Sequence, residues 1–187
     1  MADDTELIQR FVDCFVRLDD STFSHDDPPL AEFADGIDPD DWNLIRWQPA
    51  AISTPMVSLD AIRKVGALPE LYEQLATSFR WPEVDLGICR LLPNSPADDL
   101  GPLAASMFAD PVLNNTLIPN GFSRFAMAPD YCYDPICFDL NRFRDNDCPI
   151  VRLNHESVLS YDTIGDVVTV FGSFRELIYA VLAIETT

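Results

Sequence analysis

The amino-acid sequence predicts an α+β fold in a single domain, with a mixed, mostly antiparallel sheet packed with helices. Its 187 residues are enough for one domain with a proper core, since a chain of this size buries roughly 70% of its unfolded surface. Its hydrophobic content of 48% is typical of globular proteins. Amphipathic stretches and short strand-like runs are partly segregated along the chain. This segregation favours α+β over a doubly wound sheet, in which strands and helices alternate.

The first predicted element is an amphipathic helix in "DDTELIQRFVDCFVRL". Asp4 or Thr5 is expected to cap it, and acids occupy its first turn, where the helix dipole favours them. Two polar loops are predicted next, in "DDSTFSHDDPP" and "EFADGIDPDDW", because Asp, Ser, Gly and Pro favour turns. The apolar face of the helix is formed by Leu7, Ile8, Phe11, Phe15 and Leu18.

The middle of the chain combines short extended segments with helices. The stretch "WNLIRWQPAAISTPMV" alternates apolar residues between prolines, which predicts short edge strands. A short helix is predicted over residues 58–65. A longer helix is predicted in "LPELYEQLATSFRW", with Pro69 in its first turn and apolar residues spaced by four.

The second half of the chain supplies most of the predicted sheet. Four strands are predicted in "VDLGICRLLP", "FSRFAMA", "PICFDL" and "PIVRLN", with a helix over residues 99–109 between the first two. The run "DVVTVF" predicts a further strand that stops at Gly172. Ser173 is expected to cap a final helix with Leu177, Ile178, Val181 and Leu182 on its buried face.

The charge of the chain restricts its partners. Thirty-one acidic residues against twelve basic ones give a formal net charge of −19, which repels nucleic-acid phosphates and anionic lipid. If the chain has a partner, a cationic protein is the class that this charge attracts; the alternative is that the acidity serves solubility alone. Residues 1–41 hold thirteen of the acids and only Arg10 and Arg17, so they form an acidic helix and loop extension of the domain.

The sequence also predicts a cytoplasmic location. No window approaches the roughly 18 uncharged apolar residues of a membrane helix, and "MADDTELIQR" opens with acids where a signal peptide would need basic residues. An odd number of cysteines without an export signal favours reduced, mostly buried thiols over a disulfide framework. The five cysteines are Cys14, Cys89, Cys132, Cys137 and Cys148.

Motifs for catalysis and for cofactors are absent from the sequence. There is no glycine-rich phosphate loop, nucleophile elbow, zinc-protease motif or EF-hand loop, and the chain has two histidines, His25 and His155. We therefore expect no enzyme and no cofactor. One set of residues has the composition of a zinc site, Cys132, Cys137, Cys148 and His155, although its spacing does not match the usual zinc knuckles. Packing is the favoured role for Cys137, because strand alternation places it opposite Ile136 and Phe138.

The acidic loop "DGIDPDDW" supplies the candidate partner-binding residues. Its aspartates could bind a divalent cation, contact a partner or remain a solvated loop. The adjacent Trp42 could anchor an interface or belong to the core. The residues predicted to bind a partner are Asp35, Asp38, Asp40, Asp41 and Trp42.

Five short motifs, taken in order, resemble the SMI1/KNR4 (SUKH) superfamily over residues 68–182. They are "LPELYEQL", "NGFSRFA", "YDPICFDL", "PIVRLNHE" and "SFRELIYAVL". Some fifty residues separate the first two motifs, where the family has a much shorter segment, so the chain would be a divergent member. The resemblance implies an α+β fold and no catalysis. Bacterial members of that family look like immunity proteins that block a toxin, often a nuclease, and fungal relatives look like regulators.

The leading functional hypothesis is therefore a SUKH-like immunity protein that neutralises a basic toxin. A nuclease presents cations to its phosphate substrate, and an acidic inhibitor can compete for them. The alternative is an intracellular regulatory or scaffold protein with no toxin partner. A third hypothesis is a small metalloenzyme that uses the cysteine and histidine set.

Overall fold

The structure is a computed structural model; for residues 22–24, 33–37, 44–47 and 61 only the backbone is described. The described residues are 3–18, 22–24, 33–37, 44–53, 59–94, 100–108, 110–129 and 133–184.

The N-terminal helix forms as predicted, with a different cap. Helix α1 is Asp4–Asp13, and a short helix α2, Phe15–Leu18, follows it. The N-cap is Asp3, whose backbone is not helical (φ −58°, ψ 142°) and whose carboxylate accepts a hydrogen bond from the Thr5 amide at 3.5 Å. The predicted caps, Asp4 and Thr5, therefore lie one and two residues after the observed cap.

The acidic segment contains strands where polar loops were predicted. Strands β1 (Thr22–Ser24), β2 (Phe33–Ile37) and β3 (Leu44–Trp47) form an antiparallel sheet in the order β1-β3-β2. β1 and β2 each carry a phenylalanine, which favours strands, and the pairing with β3 overrides the surrounding turn residues. β3 is the central strand of this sheet and not the predicted edge strand, because Pro49 lies beyond its end.

The next elements connect this region to the main sheet. Strand β4 (Ala50–Ala51) precedes helix α3 (Asp60–Arg63) and helix α4 (Glu70–Ser78). Pro69 was predicted in the first turn of α4, but it is the N-cap and lies just before that turn. Strand β5 (Phe79–Arg80) follows α4 directly and pairs antiparallel with β4.

The main sheet has six antiparallel strands, each paired with its neighbour in the sequence. The order is β11-β10-β9-β8-β7-β6. The stretch "VDLGICRLLP" forms two strands and not one, because Gly87 turns the chain with φ 76° and its amide donates to Asp85 Oδ1 at 2.8 Å. The strands are β6 (Val84–Asp85), β7 (Arg90–Leu91), β8 (Phe122–Met127), β9 (Pro135–Asp139), β10 (Ile150–Leu153) and β11 (Val167–Phe171).

Helices lie in the connections between these strands. Between β7 and β8 are α5 (Gly101–Phe108) and α6 (Pro111–Leu117), and α6 was not predicted. Asp110 caps α6 through its carboxylate, and Pro111 occupies the first helical position. Helix α7 (His155–Tyr161) joins β10 to β11, and helix α8 (Phe174–Ile184) follows β11. The Ser173 hydroxyl accepts a hydrogen bond from the Glu176 amide, as expected for the predicted cap.

Two apolar clusters lie on opposite faces of the main sheet. On β9, Ile136 and Phe138 belong to the larger cluster with α1, α4 and α8, and Cys137 belongs to the smaller cluster with α6 and α7. Phe138 stacks on Phe125 with a ring-centroid distance of 4.0 Å. The predicted opposition of Cys137 to its neighbours is thus confirmed, as is the α+β class, and every described strand pair is antiparallel. In the described part of the chain, no helix is long and apolar enough to cross a membrane.

Candidate protein-binding surface

The last strand of the main sheet, β11, has exposed apolar side chains on both of its faces. Val167, Val168 and Val170 are 42%, 54% and 38% exposed. Consecutive β-branched residues are typical of strands buried on both faces. Among the described strands, however, only β10 pairs with β11, so β11 forms one edge of the sheet. Its outer side presents backbone donors and acceptors, together with apolar area, to a further strand.

A bulge interrupts the pairing of β11 with β10 near its end. Thr169 pairs with Val151 and Phe171 with Ile150, which leaves Val170 as the extra residue on β11. Bulges are common at sheet edges, where they bend and twist the strand. Because this bulge lies near the end of the strand, Val167, Val168 and Thr169 keep a regular ladder with β10.

Carboxylates lie at both ends of the exposed strand. Asp166 immediately precedes β11 and is exposed. At the other end, the exposed Glu176 accepts a hydrogen bond from the Gly172 amide, with Glu176 Oε2 2.7 Å from that nitrogen. Residues 166–172, together with Glu176, are called the β11 edge below. It combines an apolar centre with acidic ends.

A cluster of polar side chains holds the end of β10 beside the β11 edge. Asp134 is buried, and its Oδ2 accepts from Arg152 Nε at 2.7 Å. Its Oδ1 accepts from the backbone amide of His155 at 3.0 Å and lies 2.6 Å from His155 Nδ1. Arg152 and the adjacent Leu153 pair with Val168 and Val167. The buried carboxylate therefore fixes the strand end that supports the start of β11.

The same cluster presents groups that are common at protein interfaces. Because Nδ1 of His155 faces the carboxylate, Nε2 is the ring nitrogen turned away from Asp134. The ring of Tyr133 lies edge-on to that imidazole, with 6.3 Å between the ring centroids, and Tyr133 is 69% exposed. Tyr and Arg are enriched among residues that dominate binding energy.

Arg142, like Arg152, lies against β11. It lies on the face of the main sheet opposite to Ile136 and Phe138. Arg142 Nη2 donates to Thr169 Oγ1 at 3.0 Å, and Arg142 Nε donates to Asp139 Oδ2 at 2.6 Å. Asp139 is buried, and its Oδ1 also accepts from the Asn141 amide at 3.2 Å. Arg142 thereby links β11 to the end of β9.

The predicted partner-binding residues fall mostly outside the described part of the chain. Asp38, Asp40, Asp41 and Trp42 lie outside the described residues. Asp35 lies within β2, where only the backbone is described. Their predicted role in binding stays a prediction.

The candidate zinc ligands that are described lie apart. Cys137 is in the smaller apolar cluster, and Cys148 is in the larger one on the other face of the sheet. His155 is bound to Asp134 through Nδ1, and Cys132 lies outside the described residues. Within the described ranges, no three His, Cys, Asp or Glu residues are placed to hold a metal ion.

The described cysteines are packing residues, as the sequence predicts. Cys14, Cys89, Cys137 and Cys148 are all buried. Burial, with a smaller contribution from the charge of Asp85, raises the pKa of the Cys89 thiol to about 12. Burial likewise raises the pKa of Cys137, against a smaller opposing effect of Arg124. Protonated, buried thiols are weak nucleophiles and weak metal ligands.

An open groove of about 540 Å³ lies between α4 and the hairpin that joins β9 to β10. Its single arginine, Arg63, is held by both carboxylate oxygens of Glu73, at 2.8 Å and 2.6 Å. This pairing raises the pKa of Arg63, chiefly through the hydrogen bond to Glu73. The guanidinium is therefore already neutralised by the protein itself, and the β11 edge is the better candidate surface.

The fold and the surface together define an antiparallel α+β protein with an open, apolar sheet edge between acidic ends. Comparison of the chain with models of protein families and with curated proteins found no match. The resemblance to the SMI1/KNR4 superfamily therefore stays a prediction.

Sequence reasoning found β11 as a strand but did not identify it as a surface. Its position at the sheet edge follows from the strand order, which local patterns do not contain. Asp134 and His155 are 21 residues apart and meet only because β9 and β10 pair. One signal for this surface was available in the stretch "TIGDVVTVFGS". There, β-branched residues typical of a buried strand lie between Gly165-Asp166 and Gly172, residues typical of exposed strand ends.

Proposed function

We propose that this chain is a non-catalytic, cytoplasmic protein-binding protein, and specifically an immunity protein that neutralises a basic toxin. The observation that carries the proposal is the β11 edge, where three exposed valines lie between Asp166 and Glu176. A monomeric protein that leaves such a strand uncovered risks aggregation, and natural proteins normally protect such edges. An exposed edge is therefore best explained by a partner that covers it.

The charge of the chain indicates which partner is expected. At −19, the chain attracts a cationic protein over long range and raises its association rate by one to three orders of magnitude. A toxin that acts on nucleic acid must itself be cationic where it contacts phosphates. The acidic residues 1–41 and the β11 edge would then act together, the first in steering and the second in contact.

The test is affinity capture from the source organism with the wild-type chain and with Val168→Lys. Val112→Lys is the matched control, because Val112 is 45% exposed on α6 and the substitution changes charge equally. We expect the wild type and the control to enrich a basic protein at about 50 mM salt, and Val168→Lys or about 500 mM salt to lose it.

The captured protein is then expressed alone and with the chain in a growth assay. Growth arrest that the wild-type chain relieves supports the immunity function. Enrichment of no basic protein contradicts the protein-binding proposal. Capture of a partner that does not arrest growth would instead favour the alternative, a regulatory or scaffold protein that uses the same edge.

A further inference from the structure

We propose that the partner binds by strand addition: an extended apolar segment with cationic ends pairs with β11 and continues the main sheet as a seventh strand. This inference rests on the proposed protein-binding function and adds the binding mode and the chemistry of the segment. Strand addition gives affinity through main-chain hydrogen bonds and specificity through alternate side chains.

The backbone of β11 fits this mode. Each of the five strands β7–β11 follows its neighbour in an antiparallel ladder, and the ladder stops at β11 with its outer side open in the described chain. A seventh strand next to β11 would continue the same pattern. The regular part, Val167 to Thr169, lies before the bulge and can pair without distortion.

The side chains of β11 favour an apolar, β-branched partner segment. Val168 is the most exposed of the three valines, at 54%, and Val167 lies on the other face of the strand. A partner strand places residues opposite both, at the 4.5–5.5 Å Cβ spacing of cross-strand neighbours. Alternating Val and Thr in the partner would cover both faces.

The acidic ends specify the charge of the segment. Five residues at roughly 3.4 Å rise span about 17 Å, so the partner needs cations about five or six residues apart to reach Asp166 and Glu176. Opposite charges across a strand pair are favourable, and like charges directly opposite are unfavourable.

The same charges argue against a second copy of this chain. An antiparallel copy would bring Asp166 of one molecule beside the Gly172 and Glu176 end of the other. Two chains of −19 would in addition repel each other at long range. A basic partner avoids both costs.

The test uses three capped synthetic peptides: KKTVTVTKK, the acidic EETVTVTEE and the proline-containing KKTVPVTKK. Binding to the full chain is followed by amide chemical shifts in heteronuclear NMR at about 50 mM and about 500 mM salt. We expect the basic peptide to shift the amides of residues 166–172 and to bind about tenfold more tightly than the acidic one at low salt. The proline peptide is expected to bind at least about tenfold more weakly, since it lacks a ladder donor and is restrained in its backbone.

Two protein variants locate the site. Val168→Lys and Asp166→Lys are both at exposed positions, so both variants should unfold at close to the urea concentration at which the wild type unfolds. Each is expected to weaken the basic peptide severalfold, and Val112→Lys to leave it unchanged. Asp166→Lys is also expected to narrow the preference for the basic peptide over the acidic one.

Three results would overturn strand addition: no shifts at residues 166–172, equal binding of the proline peptide, or a wild-type dimer in sedimentation that Val168→Lys abolishes, which would identify a second copy as the occupant. The failures are distinguishable. A captured partner that survives Val168→Lys leaves the binding function standing and removes this mode. If the peptides bind at β11 but no basic protein is captured, the strand-addition mode stands and the proposed binding function is removed.

Discussion

Replacing Asp134 with alanine tests whether the polar cluster holds the end of β10. Asp134 is 6% exposed, and its carboxylate accepts from Arg152 and from both the ring and the backbone of His155. Removing a buried acceptor from such a network leaves its donors without a partner. The result should be a localised loss of structure where β10 ends and β11 begins.

The expected loss of stability depends on how exposed Arg152 and His155 are. Hydrogen bonds to charged groups contribute roughly 1.5–3 kcal/mol each, and breaking a fully buried pair costs about 3–5 kcal/mol. The side chains of Arg152 and His155 are 42% and 31% exposed, so water can replace part of what they lose. We therefore expect Asp134→Ala to lower the free energy of unfolding by about 2–3 kcal/mol. Asp134→Asn keeps an acceptor for the His155 amide and should lose about 1–2 kcal/mol.

Urea unfolding measures these losses, and amide hydrogen exchange locates them. Exchange should accelerate at Leu153 and Val167, with little change in α8. Asp166→Ala, which removes an exposed carboxylate nearby, is the control and should stay within about 0.5 kcal/mol. A loss below about 1 kcal/mol for Asp134→Ala, or exchange that accelerates uniformly, would refute the role assigned to this cluster.

Three further measurements address packing, backbone and pH. Burial, with the neighbouring Asp147, raises the pKa of Cys148 from 9.0 to about 12, so the folded state holds this proton more tightly than the unfolded state. The protonated thiol therefore stabilises the folded state fully below pH 9.0, and this stabilisation is lost as the pH rises towards 12. In urea unfolding, the free energy of unfolding of the wild type should fall over this range, and Cys148→Ala should make that fall shallower by about 1.4 kcal/mol per pH unit. An unchanged slope would contradict the argument. Gly121→Ala should cost about 1–2 kcal/mol, because Gly121 has φ 78° and an added Cβ would meet the side-chain carboxamide of Asn141; a stabilised variant would show that the turn relaxes freely. Phe138→Leu should cost about 1–2 kcal/mol in thermal unfolding by removing the stack on Phe125, and a neutral result would mean that the core repacks.

The elements that the sequence predicted well are those with local signals. Helix α8 has a serine cap and apolar residues at helical spacing, and both are present in a dozen consecutive residues. The faces of β9 follow from simple alternation around Cys137. Side chains return to the same face every 3.6 residues in a helix and every two residues in a strand. These repeats identify the buried face of an element from its own residues alone.

What the sequence could not predict depends on residues far apart. β1 and β2 are strands because β3 pairs with them, while the nearby Asp, Ser and Pro residues favour turns. The cluster around Asp134 requires β9 and β10 to be neighbours, and the exposure of β11 requires it to be last in the sheet. Local patterns identify strands, and the strand order decides which of them lies exposed at an edge of the sheet.

The exposure of the β11 valines has a consequence for how recognition could change over time. A side chain that is 38–54% exposed has little to do with core packing, so substitutions there should cost little stability. The buried residues beneath, on β9 and β10, can stay fixed while β11 varies. If β11 binds a partner as proposed, mutations there would change the preferred partner one side chain at a time, without passing through unfolded variants.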